Sequence, residues 1–182
     1  LKLNNQLSAD QFKRISDEVN LTFLPENKDK FKVEEVVELW LEVKNVQTVH
    51  CKVFEFNTLT YYRKTLKPFD TSIDLDGLES TIVRNFEFNE PANCKKKQKF
   101  EFPELVGRVG LFIVEFVGNG RSARAVVKKG SLSLIHKSTP AGHWATIIDD
   151  NRKVCSGEKT GIWFDNKFYS AKEDGSIFLN YG

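Results

Sequence analysis

The sequence predicts a mainly β protein: an antiparallel β-sandwich with a short N-terminal helix ahead of it and a second, partial β-unit behind it. Residues 109–136 carry most of this reading. An apolar run over 109–117 is followed by Asn119-Gly120, and 122–128 returns with β-branched and small residues. Asn-Gly between two such runs is a hairpin signal, because both residues tolerate positive φ. Lys129-Gly130 then turns into 131–136, read as a third strand. Composition agrees: 15 of the 182 residues are Phe, and aromatic and β-branched side chains suit a pleated, half-buried surface. The remaining apolar runs recur at strand-like intervals with turn residues between them.

In chain order, 8–19 is the helix. Ser8 can cap its N-terminus and Gln11 completes a capping box. Phe12, Ile15 and Val19 fall on one helical face. Pro25 and the polar run 26–30 close an N-terminal helical lead-in, residues 1–30. From Phe31 the period changes to two: Val37, Leu39, Leu41 and Val43 alternate with Glu38, Trp40, Glu42 and Lys44. Strands are expected next at 49–56 and, briefly, at 59–62. A loop with Pro68, Asp70, Asp74, Asp76 and Gly77 separates them from an alternating strand at 81–88. Residues 91–99 read as a charged turn, and 100–103 as a short strand before the hairpin. Turn signals every 8–15 residues or so are the pattern of an immunoglobulin-like antiparallel sandwich. Its expected extent is 31–136. Residues 137–142 read as a linker, and 137–182 as a β-meander with turns at Asp165-Asn166 and Asp174-Gly175.

Several function classes are set aside. Twenty-seven basic against 25 acidic residues give a net charge of +2, too balanced for a nucleic-acid binder. No run of 18 apolar residues exists, so no transmembrane segment is expected. Gly118-Asn119-Gly120 is no phosphate loop, because a strand follows it where a helix would be needed. The chain has no methionine and begins at Leu1, which predicts a processed product or a fragment whose parent continues. Three cysteines, Cys51, Cys94 and Cys155, allow at most one internal disulfide.

Phe100-Glu-Phe-Pro-Glu104, residues 110–125 and 128–132 together resemble the end of a macroglobulin-type β-sandwich domain. Residues 143–179 resemble the opening of the next such domain. The resemblance implies a module from a large secreted or surface chain. The Gly-Cys-Gly-Glu-Gln thioester motif of active macroglobulins is absent, so inhibitory activity is not implied.

Cys155, His143 and Asp149 or Asp150 could be written as a nucleophilic triad, but no nucleophile motif surrounds Cys155. His136, His143 and Cys155 fit no zinc spacing. Asp70, Asp74, Asp76 and Glu79 crowd one loop that lacks the last ligand of a calcium hand. Lys95, Lys96, Lys97, Lys99, Arg121, Arg124, Lys128 and Lys129 form the best basic cluster. It could meet an anionic partner or glycan, or it could protect a sheet edge from aggregation. Asn20-Leu21-Thr22 is a glycosylation sequon. The expected function is a non-enzymatic structural or protein-interaction segment without cofactors, extracellular or at the cell surface, with a cytoplasmic site kept open. Its partners would be neighbouring domains of the parent chain and other proteins. The alternatives are a binding module for an anionic ligand, and an accessory domain of a larger enzyme.

Overall fold

The computed structural model describes residues 8–65, 69–89, 91 and 94–181. Strands dominate, and nearly all pairs are antiparallel. The chain divides into two compact units at Lys129–Gly130.

The first unit is a two-sheet sandwich. One sheet has the order β1 (Asn20–Phe23), β3 (Val37–Lys44), β6 (Lys96–Phe102). The other has β2 (Lys30–Phe31), β8 (Arg121–Lys129), β7 (Gly110–Gly118), β4 (Thr48–Phe56), β5 (Ile82–Glu87). The expected hairpin is present: Gly118 pairs with Arg121, and Asn119 and Gly120 form the turn at φ 45° and 71°. Alternation along β3 buries Val37, Leu39, Leu41 and Val43, as expected. They meet Val49, Cys51 and Val53 of β4 and Phe112, Val114 and Phe116 of β7 in the inter-sheet core. Phe116 also sits among rings, with centroids of Phe23, Phe100 and Phe102 at 5.7, 4.6 and 6.4 Å.

β7 is apolar on both faces because both are covered. Its outward Ile113 joins Phe54 and Leu75 in a second, smaller core beneath the loop after α2 (Thr58–Thr65). Phe69 closes this core from above, with ring centroids 4.9 Å from both Phe56 and Tyr61. This helix replaces the short strand expected at 59–62. Asn57 accepts a hydrogen bond from the Thr60 amide at 3.0 Å, an N-cap that outweighs the strand preference of the aromatic and β-branched residues.

Two further differences have clear causes. The expected charged turn 91–99 is strand from Lys96 onward, because Lys97 and Lys99 alternate onto the outer face of an edge strand. Residues 92, 93 and 66–68 of the expected turn and loop lie outside the described residues, as do 1–7 of the lead-in. The lead-in also contributes β1 to the sandwich itself. Helix α1 (Ala9–Asp17) has its capping box, with Ser8 and Gln11 bonded at 3.0 and 3.2 Å. Its Phe12 and Ile15 stay exposed, and Val19 packs on the core.

The second unit contains a three-stranded sheet, β9 (Ser133–Thr139), β10 (Gly142–Ile148) and β13 (Ser176–Asn180), with β10 in the centre. A hairpin, β11 (Gly161–Phe164) and β12 (Lys167–Ser170), lies beside it. The expected linker 137–142 is instead the end of β9 and the turn into β10, since Thr139 pairs with Gly142. The core is small: Ala145, Ile147, Ala171, Ile177 and Leu179.

Gly118 gives a test of the sandwich end. A Cβ there would lie 2.5 Å from Val46 Cγ1 and 2.8 Å from the Thr48 carbonyl, with no backbone strain of its own. Gly118→Ala is expected to destabilise the first unit by about 1–3 kcal/mol through overpacking. Gly120→Ala meets open space but a φ of 71°, and should cost about 1 kcal/mol. Urea unfolding of both variants checks the ranking.

Candidate functional site at one end of the sandwich

Three connections meet at the end of the first unit where β7 turns into β8. They are the β3–β4 turn, the segment leading into β6 and the Asn119-Gly120 turn. Between them lies a cleft of about 650 Å³, lined by Lys44, Asn45, His50, Cys94, Lys96 and Asn119 among others. Asn45 and Asn119 both hold positive φ, which asparagine tolerates. The Asn119 side-chain amide donates to the Asn45 carbonyl at 3.0 Å, joining two of the three connections.

The same corner holds the N-terminal helix. The last carbonyls of a helix lack internal partners and attract cations. Buried Lys44 donates to the Ile15 carbonyl and lies 3.8 Å from the Glu18 carboxylate. Asn45 Nδ2 donates to the carbonyls of Ser16 at 2.7 Å and Glu18 at 2.9 Å. Helix α1 is thus held by its C-terminal end, which explains why its apolar face remains open.

The predicted basic cluster is only partly assembled. Cys94 and Lys96 share the cleft with Asn119, so the 94–97 segment and the hairpin turn do meet. Lys128 and Lys129 lie at the other end of β8, about 25 Å from Arg121 at strand rise. Most of the charge is engaged. Lys95 Nζ lies 2.9 Å from Glu42 Oε1, a bond that holds the Glu42 carboxyl below its ordinary range and raises Lys95. Lys99 is raised in the same way between Glu101 at 2.5 Å and Glu38 at 3.3 Å. Arg124 sits on the outward face, where its Nε donates to Glu115 at 2.8 Å and its Nη1 to the Ile73 carbonyl at 3.0 Å. Lys128 donates to Asp29 at 2.7 Å and lowers its pKa. Lys129 is buried, and its ammonium donates to the carbonyls of Lys32, at 2.6 Å, and Glu35. Lys97 and Arg121 stand exposed.

The other candidates do not converge. His143 Nδ1 is 3.0 Å from Ser138 Oγ, while Asp149 accepts from the amides of Asn151 and Lys153 within its own turn. Cys155 packs against the apolar core of the second unit, and its Sγ lies 4.0 Å from the Lys153 carbonyl. Asp70 accepts from Ser72 and Asp74 from the Asp76 amide, so these loop acids serve local turns. His136 is exposed on β9. Among the described residues no three His, Cys, Asp or Glu side chains are placed to hold a metal. No described helix is long and apolar enough to cross a membrane. Asn20 of the sequon donates its amide to Glu42 at 2.7 Å and accepts from Thr22 at 2.5 Å.

One exposed aromatic side chain belongs to no sequence motif. Trp40 is 40% exposed in the middle of the three-stranded sheet. Its strand neighbours are Glu38 and Glu42, and it stands opposite Lys99. The signal was present in the sequence: alternation placed Trp40 in phase with the glutamates, on the solvent side.

Comparison with known proteins falls on the same architecture. Residues 49–130 match the family model described as the AbpF first immunoglobulin-like domain. The fold is immunoglobulin-like. Actin-binding protein F of Dictyostelium discoideum is 37% identical over 169 residues, which is 92% of this chain and 7% of that protein. The chain therefore spans a small part of that relative's length. A crystal structure of native alpha-2-macroglobulin from Escherichia coli spanning domains NIE-MG1 superposes with a TM-score of 0.52 at 13% identity. The alignment covers 91% of this chain and 88% of that one. A second structure, spanning MG0-NIE-MG1, gives 0.52 at 11% identity, covering 91% and 58%. At such identities the likeness shows the fold alone, and it is at this level that the macroglobulin resemblance holds.

The three cysteines, all free, differ in setting. Burial pushes the Cys51 thiol up to about 12, whereas Cys94 is exposed at the cleft. Thiolate is the reactive form. Titration of the native protein with a thiol reagent is expected to label Cys94 first and to leave Cys51 untouched until denaturant opens the sandwich. Labelling of Cys51 in the native state would contradict the placement of β4.

Proposed function

We propose that this chain is a structural and protein-interaction segment of a larger protein, a non-enzymatic β-sandwich module that works without cofactor or nucleic acid. The observation that carries this reading is the internal use of its charge. Lys95, Lys99, Arg124 and Lys128 are in ion pairs and Lys129 is buried against backbone carbonyls. These are five of the eight basic residues that an anionic ligand or glycan would need. The lysines of β6 act mainly as edge protection, keeping the sheet from pairing with other chains. An accessory role beside a catalytic domain has no observation of its own behind it. The match with an actin-binding protein gives the extracellular expectation no support, and with it the case for a glycan on Asn20 weakens.

That match also makes the actin filament the first partner to test. The face around Trp40 supplies the chemistry of a contact: a half-exposed indole ringed by charges of both signs, the composition of an interface hot spot. Residues 1–182 are expected to co-sediment with filamentous actin, and Trp40→Ala to weaken that binding about tenfold or more. A chain that stays in the supernatant while a control actin binder pellets removes actin as this segment's partner. Its role would then be spacing between neighbouring domains.

A further inference from the structure

The two units repeat one strand topology. Setting aside the two-residue β2, the strands of the first unit in chain order are β1, β3, β4, β5, β6, β7 and β8. One sheet joins the first, second and fifth of these, and the other joins the seventh, sixth, third and fourth. In the second unit, β9, β10 and β13 are first, second and fifth, and they form one sheet with the second in the centre. β11 and β12 are third and fourth, and they form the other. Every shared pair is antiparallel in both units.

The sixth and seventh strands are what differ. In the first unit β7 pairs along the edge of β4 that β5 leaves open, and β7 and β8 supply Phe112, Val114, Phe116 and Val127 to the core. In the second unit β11 pairs with β12 alone among the described residues. The inward face shows the consequence. Leu134 lies opposite Ile147 in the β9–β10 register, yet Leu134 is 54% exposed and Ile147 is 7% exposed. Phe164 shares the inward phase of Ile162 on β11 and is 60% exposed. In the first unit the corresponding first strand is covered by the sixth, with Phe23 against Phe116.

We infer that the second unit is the first five strands of a second copy of the same sandwich, and that the open edge of β11 is the docking seat of an apolar β-hairpin equivalent to β7–β8. The occupant is a segment of the same protein. Chain order in the first unit places the sixth and seventh strands after the fifth, so the hairpin follows β13. It pairs antiparallel with β11 and closes over Leu134 and Phe164. A seven-stranded sandwich takes about 100 residues, so about fifty more complete this one. The aligned region is 7% of the relative, a much longer protein.

Amide hydrogen exchange of Gly161–Phe164 tests this in two chains, residues 1–182 and the same protein carried about fifty residues further along its own gene. The expected result is slowing of the β11 amides by about tenfold or more in the longer chain. Leu134→Asp, a second probe, should leave the melting midpoint of 1–182 unchanged and lower that of the longer chain by about 4 °C or more. Equal exchange of β11 in both chains, or a Leu134→Asp variant that melts like its parent in both, would overturn the inference.

Discussion

Strand β7 is the element on which the first unit depends. It is buried on both faces, so its residues must satisfy two cores at once. Phe112, Val114 and Phe116 fill the space between the sheets, and Ile113 anchors the loop and helix packed on the outside. Glu115 is the polar exception, and it is tolerated because Arg124, opposite it in register, bonds to it. With β7 in place, β4 and β8 have their partners, and the Asn119-Gly120 turn is carried to the corner where the β3–β4 turn and the lead into β6 converge.

That corner shows how local chemistry organises a surface. Lys44 and Asn45 sit at the end of a strand whose pattern buries one side, and they reach the carbonyl end of α1. Asn119 ties the hairpin to the same turn. The cleft between them is lined by polar groups such as Lys44, Asn45 and Asn119 and by apolar ones such as Val46, Phe88 and Val117. It is a junction that fixes where the helix and three connections lie.

Legibility in the sequence followed the strength of local signals. The β7–β8 hairpin, the capping box at Ser8 and the alternation of β3 were readable because each has a short-range physical cause. Helix α2 was hidden because its aromatic and β-branched residues favour strand, and only the Asn57 cap reveals it. The start of β6 was hidden because a lysine run looks like a turn until its alternation is matched to Glu38 and Glu42 across the strand. The basic cluster looked like one patch because sequence cannot show that β8 carries Arg121 and Lys129 to opposite ends. A second domain was legible only as the resemblance of residues 143–179 to the opening of one; the matching strand order and pairing of the two units became visible with the structure. Among the described residues the small core of the second unit holds no counterpart of Phe112 and Phe116, which β7 supplies to the first.

The central claim, that β7 is held between two cores with Phe116 at the middle of the larger one, is tested most directly by chemical unfolding of Phe116→Ala in the 182-residue chain. Burial of the ring among Phe23, Phe100 and Phe102 predicts a loss of about 3–5 kcal/mol in the transition of the first unit. A loss below about 1 kcal/mol, the size expected for a surface residue, would contradict it.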